Sequence, residues 1–260
     1  MKVEDVMSAN PLTIQVDEYV THAREVMRDN NIHSLPVVKG DRYQGMVTVQ
    51  DIINVTSTKS NVTLNGYVRW EASTASPSTD LAKAARDILN TDEGRMPVLD
   101  GNNRVVGVLS IIDIYKAIEE LGLPDVPVKT IMTRKVIVCE PEDPISRVWR
   151  NMTEYGIYGF PVVRMKQEVI GMITREDILR RGYVRFERES EFIKKPSSVV
   201  QMVMTTPAIT VDEEDSSLKA ARIFTERQIG RLPVVKNGRL TGIVDRYDVL
   251  STCRRLMTVE

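Results

Sequence analysis

Four short motifs in this sequence place an aspartate three residues after a side chain that can cap a helix. The pairs are Thr48 with Asp51, Ser110 with Asp113, Thr174 with Asp177, and Asp245 with Asp248. Because such a pair satisfies free backbone N–H groups at a helix start, each motif predicts a capping box. The same geometry suits a nucleoside phosphate: the helix start attracts a phosphate, and the carboxylate can accept two ribose hydroxyls. Taken singly, each copy is explained by either role.

Each motif ends a block that recurs four times along the chain. An apolar strand containing proline comes first, at 35–38, 96–99, 160–163 and 232–235. A glycine follows nine or ten residues after the proline and precedes the aspartate by six residues, at Gly45, Gly107, Gly171 and Gly242. Spacing this constant indicates an internal repeat. We expect the glycine to let a ligand approach the backbone closely.

The repeated unit predicts the order strand, helix, strand, strand, helix. Apolar residues at helical spacing precede each proline strand, and a short polar turn after it predicts a hairpin. First strands are predicted at 13–16, 136–139 and 208–211, whereas the matching stretch of the second unit, around 73–76, is too polar to be placed. One such unit is small for a stable core, so we expect the units to pack in pairs.

We therefore predict a mixed α/β (α+β) fold with domains at 1–60, 61–122, 123–190 and 191–260. Turn residues at 122–127 divide the chain into two similar halves. The charged stretch 180–195 has the mixed signs of a solvated helix, with a partner-docking surface as the alternative. Four aromatic residues are predicted to lie in the core, with interface anchors as the alternative: Trp70, Trp149, Tyr155 and Tyr158.

The proline strand followed by Gly-x-x-[Ser/Thr]-x-x-Asp, present four times, resembles CBS domains, and two tandem pairs resemble two Bateman modules. The resemblance covers nearly all of the chain and implies a flat, pseudo-symmetric disk. It implies that the four aspartates bind ribose and that Thr48, Ser110 and Thr174 lie on the phosphate side. It also implies that residues of the first two strands form a wall against the adenine: Ile14, Pro36, Ile137, Pro161, Ile209 and Pro233. Core packing is the alternative for each of the three isoleucines.

The residues just before each proline strand include three basic side chains. In the gamma subunit of AMP-activated protein kinase, a member of the resembled family, basic residues at these positions reach nucleotide phosphates. The resemblance therefore implies phosphate-side roles for His33, Arg95 and Arg231. A solvated surface position is the alternative for the two arginines, and a partly buried structural role is the alternative for His33.

The fourth copy departs from the motif because Asp245 stands where serine or threonine is expected. Aspartate caps a helix as well as serine does. Beside a phosphate it is unfavourable, since two anions about 4 Å apart repel by roughly 1–4 kcal/mol, depending on the local dielectric. The neighbouring Arg246 offsets part of that repulsion. We expect this site to be empty or to prefer an adenosine-like ligand without phosphate.

Composition argues against several classes of protein. The 35 Lys+Arg and 36 Asp+Glu give a formal net charge of −1, which disfavours a nucleic-acid binder. No stretch approaches the roughly 18 apolar residues of a membrane span, and the N-terminus has no signal-peptide pattern. Two cysteines fit a reducing compartment, and with two histidines they supply no evident metal cluster. We expect a cytoplasmic protein that binds neither metal nor membrane.

The resemblance to CBS domains implies a regulatory protein that binds an adenine nucleotide: AMP, ADP or ATP. We expect it to need no cofactor, to catalyse nothing itself, and to report ligand state to an effector protein, either an enzyme or a transporter. S-adenosylmethionine or methylthioadenosine is the alternative ligand. The alternative functions are a protein-interaction module with vestigial sites and an enzyme acting on nucleotides, although no nucleophile–base pair is evident. We expect a monomer or a homodimer.

Overall fold

The computed structural model describes residues 1–52, 55, 61–91, 94–181 and 198–253. The chain divides into two units, Met1–Pro124 with Leu250–Glu260, and Asp125–Val249. The hairpins of repeats 1 and 2 lie in the first unit, and those of repeats 3 and 4 lie in the second. Most of the charged helix predicted at 180–195 lies outside the described residues.

Each repeat is built around the antiparallel hairpin that its proline strand predicts. In every hairpin the strand register shifts once, between the two residues that follow the proline. The strand pairs are Ser34–Lys39 with Arg42–Thr48, Arg95–Leu99 with Val105–Ser110, Gly159–Arg164 with Glu168–Thr174, and Arg231–Lys236 with Arg239–Asp245.

Helices flank each hairpin in sequence. The preceding helices are Val20–Asp29, Leu81–Asp87 with the 3-10 turn Ile88–Asn90, Ile145–Glu154, and Ser217–Arg227. The following helices are shorter: Val49–Ile52, Ile111–Lys116 with Ile118–Leu121, Arg175–Arg180, and Arg246–Ser251. Each preceding helix packs one apolar face into the core, for example Ile145, Val148 and Met152 in repeat 3. The periodicity of the sequence therefore identified these helices correctly.

The first strands are shorter than predicted, and in repeat 4 the strand begins only at the last residue of the predicted range. Ile14–Gln15 and Val211–Asp212 pair in parallel with their proline strands. In repeats 2 and 3 the pairing is a single bridge, from Ala75 to Val98 and from Cys139 to Val162. The bridge at Ala75 locates the first strand of repeat 2, which its polar sequence does not reveal.

The two repeats of each unit exchange the segments that lead into them. These leading segments begin with the 3-10 turns Val3–Asp5, Leu64–Gly66, Val128–Thr130 and Val200–Met202. The segment before repeat 1 pairs through Ser8–Ala9 with the hairpin of repeat 2, and the segment before repeat 2 pairs through Arg69 with the hairpin of repeat 1. In the second unit, Thr133 pairs with Ile243 and Thr205 pairs with Met172 in the same way. The expected packing of units in pairs is therefore confirmed.

The exchanged segments also complete the hydrophobic cores. Leu64 and Val68, from the segment before repeat 2, belong to the core of repeat 1. Val200 and Val203, from the segment before repeat 4, belong to the core of repeat 3. Burying an aliphatic side chain of this size contributes about 1.5–3 kcal/mol, so a repeat without its neighbour lacks a substantial part of its own core.

Sheet organisation differs between the two units. The first contains two three-stranded sheets, one for each repeat. In the second, Arg239 pairs with Glu168, and the hairpins of repeats 3 and 4 join into one five-stranded sheet. The 3-10 turn Met165–Gln167 connects the strands of the third hairpin. Across the described ranges, no helix combines the length and the apolar character that crossing a membrane requires.

Candidate functional site

The register of each hairpin places the cap residue opposite the first residue of the proline strand. The opposed pairs are Ser34 with Thr48, Arg95 with Ser110, Gly159 with Thr174, and Arg231 with Asp245. One residue earlier, the backbone carbonyl of His33 accepts from the N–H of Val49 at 2.9 Å. The structure thus brings the basic residues predicted on the phosphate side to the same hairpin end as the caps.

The capping boxes predicted from the sequence are present. In repeat 1 the backbone N–H and the hydroxyl of Thr48 donate to Oδ2 of Asp51 at 2.9 and 2.8 Å. In repeat 2 the corresponding distances from Ser110 to Asp113 are 3.0 and 2.7 Å, and in repeat 3 those from Thr174 to Asp177 are 2.8 and 2.6 Å. Because the cap consumes Oδ2, a ribose would have to bind chiefly through Oδ1.

The surroundings of Oδ1 differ between the repeats. In repeat 1, Arg69 donates to Oδ1 of Asp51 from Nη2 at 2.8 Å and from Nε at 2.9 Å. In repeat 2, Nζ of Lys116 lies 2.9 Å from Oδ1 of Asp113. In repeat 3, no described residue donates to Oδ1 of Asp177. Among these three repeats, Oδ1 of Asp177 is therefore the carboxylate oxygen least engaged by described residues.

In repeat 4 the cap is a pair of carboxylates. The N–H of Asp245 donates to Asp248 at 2.9 Å, and the N–H of Asp248 donates to Asp245 at 3.0 Å. Burial raises the pKa of Asp248 to about 7, and the neighbouring charge of Asp245 adds to this effect. Nε of Arg231 lies 3.8 Å from Oδ2 of Asp245. Asp245 thus works as a helix cap, and the Asp248 carboxyl titrates near neutral pH.

Two guanidinium groups flank one tyrosine ring in the second unit. The Cζ atoms of Arg175 and Arg231 lie 4.8 and 5.3 Å from the ring centroid of Tyr158, which is within cation–π distance. Arg231 comes from repeat 4, whereas Tyr158 and Arg175 come from repeat 3. Arg175 is buried, and its Nη2 donates to the backbone carbonyl of Met152, so its guanidinium is engaged within repeat 3.

Tyr158 also corrects the expectation that the single aromatic residues lie in the core. Tyr158, Trp70 and Tyr155 are 36%, 50% and 54% exposed, whereas Trp149 packs against the core of repeat 3. The core prediction is wrong for the first three because each lies outside the apolar face of a helix or strand.

In the first unit, the first residues of the two proline strands are in direct contact. Nη1 of Arg95 donates to Oγ of Ser34 at 3.4 Å. Ser34 lies opposite Thr48, and Arg95 lies opposite Ser110. Arg95 therefore stands close to the caps of both repeats, which suits the phosphate-side role that the resemblance implies.

The residues predicted to form an adenine wall are not equivalent. Ile14 is 4% exposed in the core and pairs with Val37. The residues at that position in repeats 3 and 4 are Cys139 and Val211, so Ile137 and Ile209 lie two residues earlier. Ile137 is half-buried, and Ile209 is 37% exposed. The remaining predicted members are buried in their strands: Pro36, Pro161 and Pro233.

The repeated glycines have a different role from the one expected. A Cβ on Gly45 would lie 2.5 Å from the carbonyl oxygen of Arg69, and one on Gly171 would lie 2.8 Å from that of Thr205. At Gly107 and Gly242 the Cβ would overlap the side chains of Met7 and Met132. The exchanged leading segments therefore occupy the space next to every one of these glycines. The expectation that the glycine admits a ligand there is wrong.

Paired hairpins with capped ends and exchanged leading segments define a tandem-repeat α/β protein. The chain belongs to the CBS domain family, which matches it four times, at residues 3–57, 67–120, 128–183 and 199–255. The family and the fold together fit a regulatory module.

Several archaeal proteins are similar over most of the chain. The uncharacterized protein MJ1404 of Methanocaldococcus jannaschii is 28% identical over 258 residues, which cover 95% of this chain and 61% of that protein. The chain thus spans less than two thirds of that relative. The uncharacterized protein MJ1225 of the same organism is 25% identical over 263 residues, covering 92% of this chain and 94% of MJ1225.

Two crystal structures share the fold. That of MJ1225, described as a candidate archaeal homologue of g-AMPK, has a TM-score of 0.80 at 22% identity and covers 96% of this chain and 99% of its own. An uncharacterized conserved protein from Pyrococcus horikoshii has a TM-score of 0.70 at 22% identity and covers 97% and 100%.

Proposed function

We propose that this chain is a regulatory module that binds an adenine nucleotide and reports its presence to a separate effector protein, an enzyme or a transporter. The observation that carries the proposal is the cap of repeat 3. There Thr174 and Asp177 form a complete capping box, yet Oδ1 of Asp177 accepts no hydrogen bond from any described residue. A half-buried carboxylate oxygen with open acceptor capacity suits the two hydroxyls of a ribose.

The electrostatics next to this cap suit a phosphate. Arg231 of repeat 4 reaches the ring of Tyr158, so its positive charge lies against the repeat that holds this cap. Guanidinium groups bind phosphate through paired, charge-assisted hydrogen bonds. Together, the open carboxylate of Asp177 and the guanidinium of Arg231 favour a ligand that carries both a ribose and a phosphate, such as AMP, ADP or ATP.

The proposed ligand would connect two repeats of the second unit. Its ribose would bind Asp177 of repeat 3, and its phosphate would bind Arg231 of repeat 4. A ligand shifts the balance between two arrangements only if it binds one of them better. Contacts to both repeats supply that difference, because each arrangement changes the distance between the two binding groups. The effector would then read the altered surface, and this chain would need no catalysis of its own.

Repeat 4 favours a second class of ligand. Its cap carries Asp245 in place of a hydroxyl, and the Asp248 carboxyl lies beside it. Two carboxyl groups disfavour a phosphate and favour an adenosyl group that is neutral or positive. S-adenosylmethionine or methylthioadenosine is therefore the candidate ligand for this repeat.

Binding to repeat 3 is tested with Asp177→Asn, which keeps the size of the side chain but replaces one carboxylate oxygen with a donor group. Protein freed of carried-over ligand is titrated with AMP, ADP and ATP by calorimetry and thermal shift. A ligand at 100 times its Kd stabilises the native state by about 2.7 kcal/mol. We expect the number of bound nucleotides to fall by one in the variant.

The matched control is Asp80→Asn. Asp80 caps the helix Leu81–Asp87, which precedes the hairpin of repeat 2, by accepting from the N–H of Lys83 at 3.0 Å. It should leave nucleotide binding unchanged. If no adenine ligand stabilises the unmodified protein, the interaction-module alternative replaces the proposal. Turnover of AMP or ATP in the presence of magnesium would instead indicate an enzyme.

A further inference from the structure

We propose that Arg69 makes the site at Asp51 selective for phosphorylated nucleosides. In the structure the guanidinium pairs with Asp51; on nucleotide binding it would pair with the phosphate and leave Asp51 to the ribose. This inference rests on the proposed function and adds a specificity-determining residue to repeat 1.

The contact between Arg69 and Asp51 closes the carboxylate to a ribose. Nη2 and Nε of Arg69 lie 2.8 and 2.9 Å from Oδ1, and Nε also lies 3.1 Å from Oδ2. Oδ2 already accepts from the N–H and the hydroxyl of Thr48. Both oxygens are therefore occupied, so ribose hydroxyls can bind only after Arg69 moves away.

Arg69 is not needed as an arginine for the shared fold. Its backbone exchanges hydrogen bonds with Met46, with N–H to O distances of 2.8 and 3.2 Å. In the other three leading segments, the residue that pairs with the neighbouring hairpin is small and carries a hydroxyl: Ser8, Thr133 and Thr205. A serine can therefore make the same backbone contacts, and the charged side chain of Arg69 is an addition peculiar to repeat 1.

The ion pair between Arg69 and Asp51 is partly exposed. The Arg69 side chain is 33% exposed and the Asp51 side chain is 16% exposed, so the ion pair lies at the edge of the site and not in the core. The ribose and phosphate of one nucleotide are adjacent groups, so the transfer from Asp51 to phosphate is short. A guanidinium binds phosphate in the same forked geometry that it uses for a carboxylate.

This change of partner by Arg69 predicts that the site distinguishes phosphorylated from unphosphorylated nucleosides. A nucleoside monophosphate gives Arg69 a new partner when its ribose displaces the guanidinium from Asp51. Adenosine must also break the ion pair with Asp51, but it brings no phosphate for Arg69 to bind in exchange. Removing Arg69 should therefore weaken AMP binding while leaving adenosine binding equal or tighter.

The test uses a fluorescent reporter next to the site. Trp70 adjoins Arg69 and is 50% exposed. The chain contains two tryptophans, so Trp149→Phe leaves Trp70 as the single emitter. In this background the full chain, with Arg69 or with Arg69→Ser, is titrated with AMP and with adenosine. We expect at least a tenfold preference for AMP in the presence of Arg69 and at least a tenfold drop in the AMP-to-adenosine affinity ratio in the variant.

The control is Arg104→Ser, which removes the same charge from an exposed pair in the same unit. Nε of Arg104 lies 2.8 Å from Asp41, and both side chains are more than half exposed. This variant should keep the affinity ratio of the unmodified protein. An equal drop in both variants would mean that long-range charge, not the contact with Asp51, sets the preference, and would overturn the inference.

The remaining outcomes separate this inference from the proposed function. An unchanged ratio in Arg69→Ser, or equal tightening of both ligands, would show that Arg69 does not bind the phosphate. If Trp70 responds to neither ligand while calorimetry still detects AMP binding that depends on Asp177, the inference fails and the proposed function stands. If calorimetry detects no AMP binding either, the proposed function fails as well.

Discussion

Replacing Gly45 with alanine tests whether the leading segment of repeat 2 needs the space beside this glycine. The new Cβ would lie 2.5 Å from the carbonyl oxygen of Arg69 and 2.6 Å from Cγ1 of Val68, whereas ordinary contacts begin at 3.4 Å. To move the carbonyl oxygen of Arg69 from 2.5 Å to 3.4 Å from the new Cβ, the segment must retreat by about 0.9 Å. The obstructing oxygen belongs to the backbone, so a side-chain rotation cannot relieve the clash.

The expected loss of stability follows from the contacts that the retreat disturbs. Met46 and Arg69 exchange backbone hydrogen bonds of 2.8 and 3.2 Å, and each such bond contributes about 0.5–1.5 kcal/mol. Overpacking a close-packed site costs about 1–3 kcal/mol. Both figures describe the same displacement and are not added. We expect the free energy of unfolding of the first unit to fall by about 2 kcal/mol.

The assay is urea unfolding followed by the emission of Trp70 in the Trp149→Phe background. The control is Gly101→Ala, because a Cβ on Gly101 meets no atom within 4 Å, and such a change is neutral or stabilising by about 0.4–1 kcal/mol. If Gly45→Ala proves as stable as this control but loses nucleotide binding, the packing explanation is refuted and a ligand occupies that space after all.

Two further predictions concern titratable groups. The pKa of Asp248 is about 7 in the folded state and near 4 in the unfolded chain. The folded state therefore holds the proton of this carboxyl more tightly, and the resulting stabilisation is complete below pH 4 and is lost as the pH rises through 7. Asp248→Asn should therefore melt at a higher temperature than the unmodified protein at pH 8, with a smaller difference at pH 5; a pH-independent difference would contradict the assignment. Burial raises the pKa of Cys139 to about 12, so its thiol should react with Ellman's reagent much faster in urea than in native protein at pH 8, as measured in Cys253→Ala. Rapid reaction of the native thiol would show that Cys139 is accessible.

Features set by local sequence were predictable. The hairpins depend on a short turn between two apolar strands, and the caps depend on residues three positions apart. A fourfold repeat made both patterns unambiguous, and the domain matches confirm the family. The exact domain boundaries, the disk arrangement and the oligomeric state stay predictions.

Features set by contacts distant in sequence were not predictable. Asp51 and Arg69 are separated by 18 positions, and nothing in either local motif indicates that they meet. The role of Gly45 was misjudged for the same reason, since the atoms that crowd it belong to the segment before the next repeat. The strand at Ala75 is defined by its partner Val98 and not by its own polar composition.

The exchange of leading segments constrains the order in which the repeats can fold during synthesis. Domains fold from the N-terminus as the chain emerges, but Ser8 has its partner in Val108, about a hundred residues later. Repeat 1 in turn needs Leu64 and Val68 to complete its core. A nascent chain halted after the first sequence repeat therefore holds an unfinished core and an unplaced N-terminal strand. A cut at the boundary between paired repeats therefore removes from each repeat what its neighbour supplies.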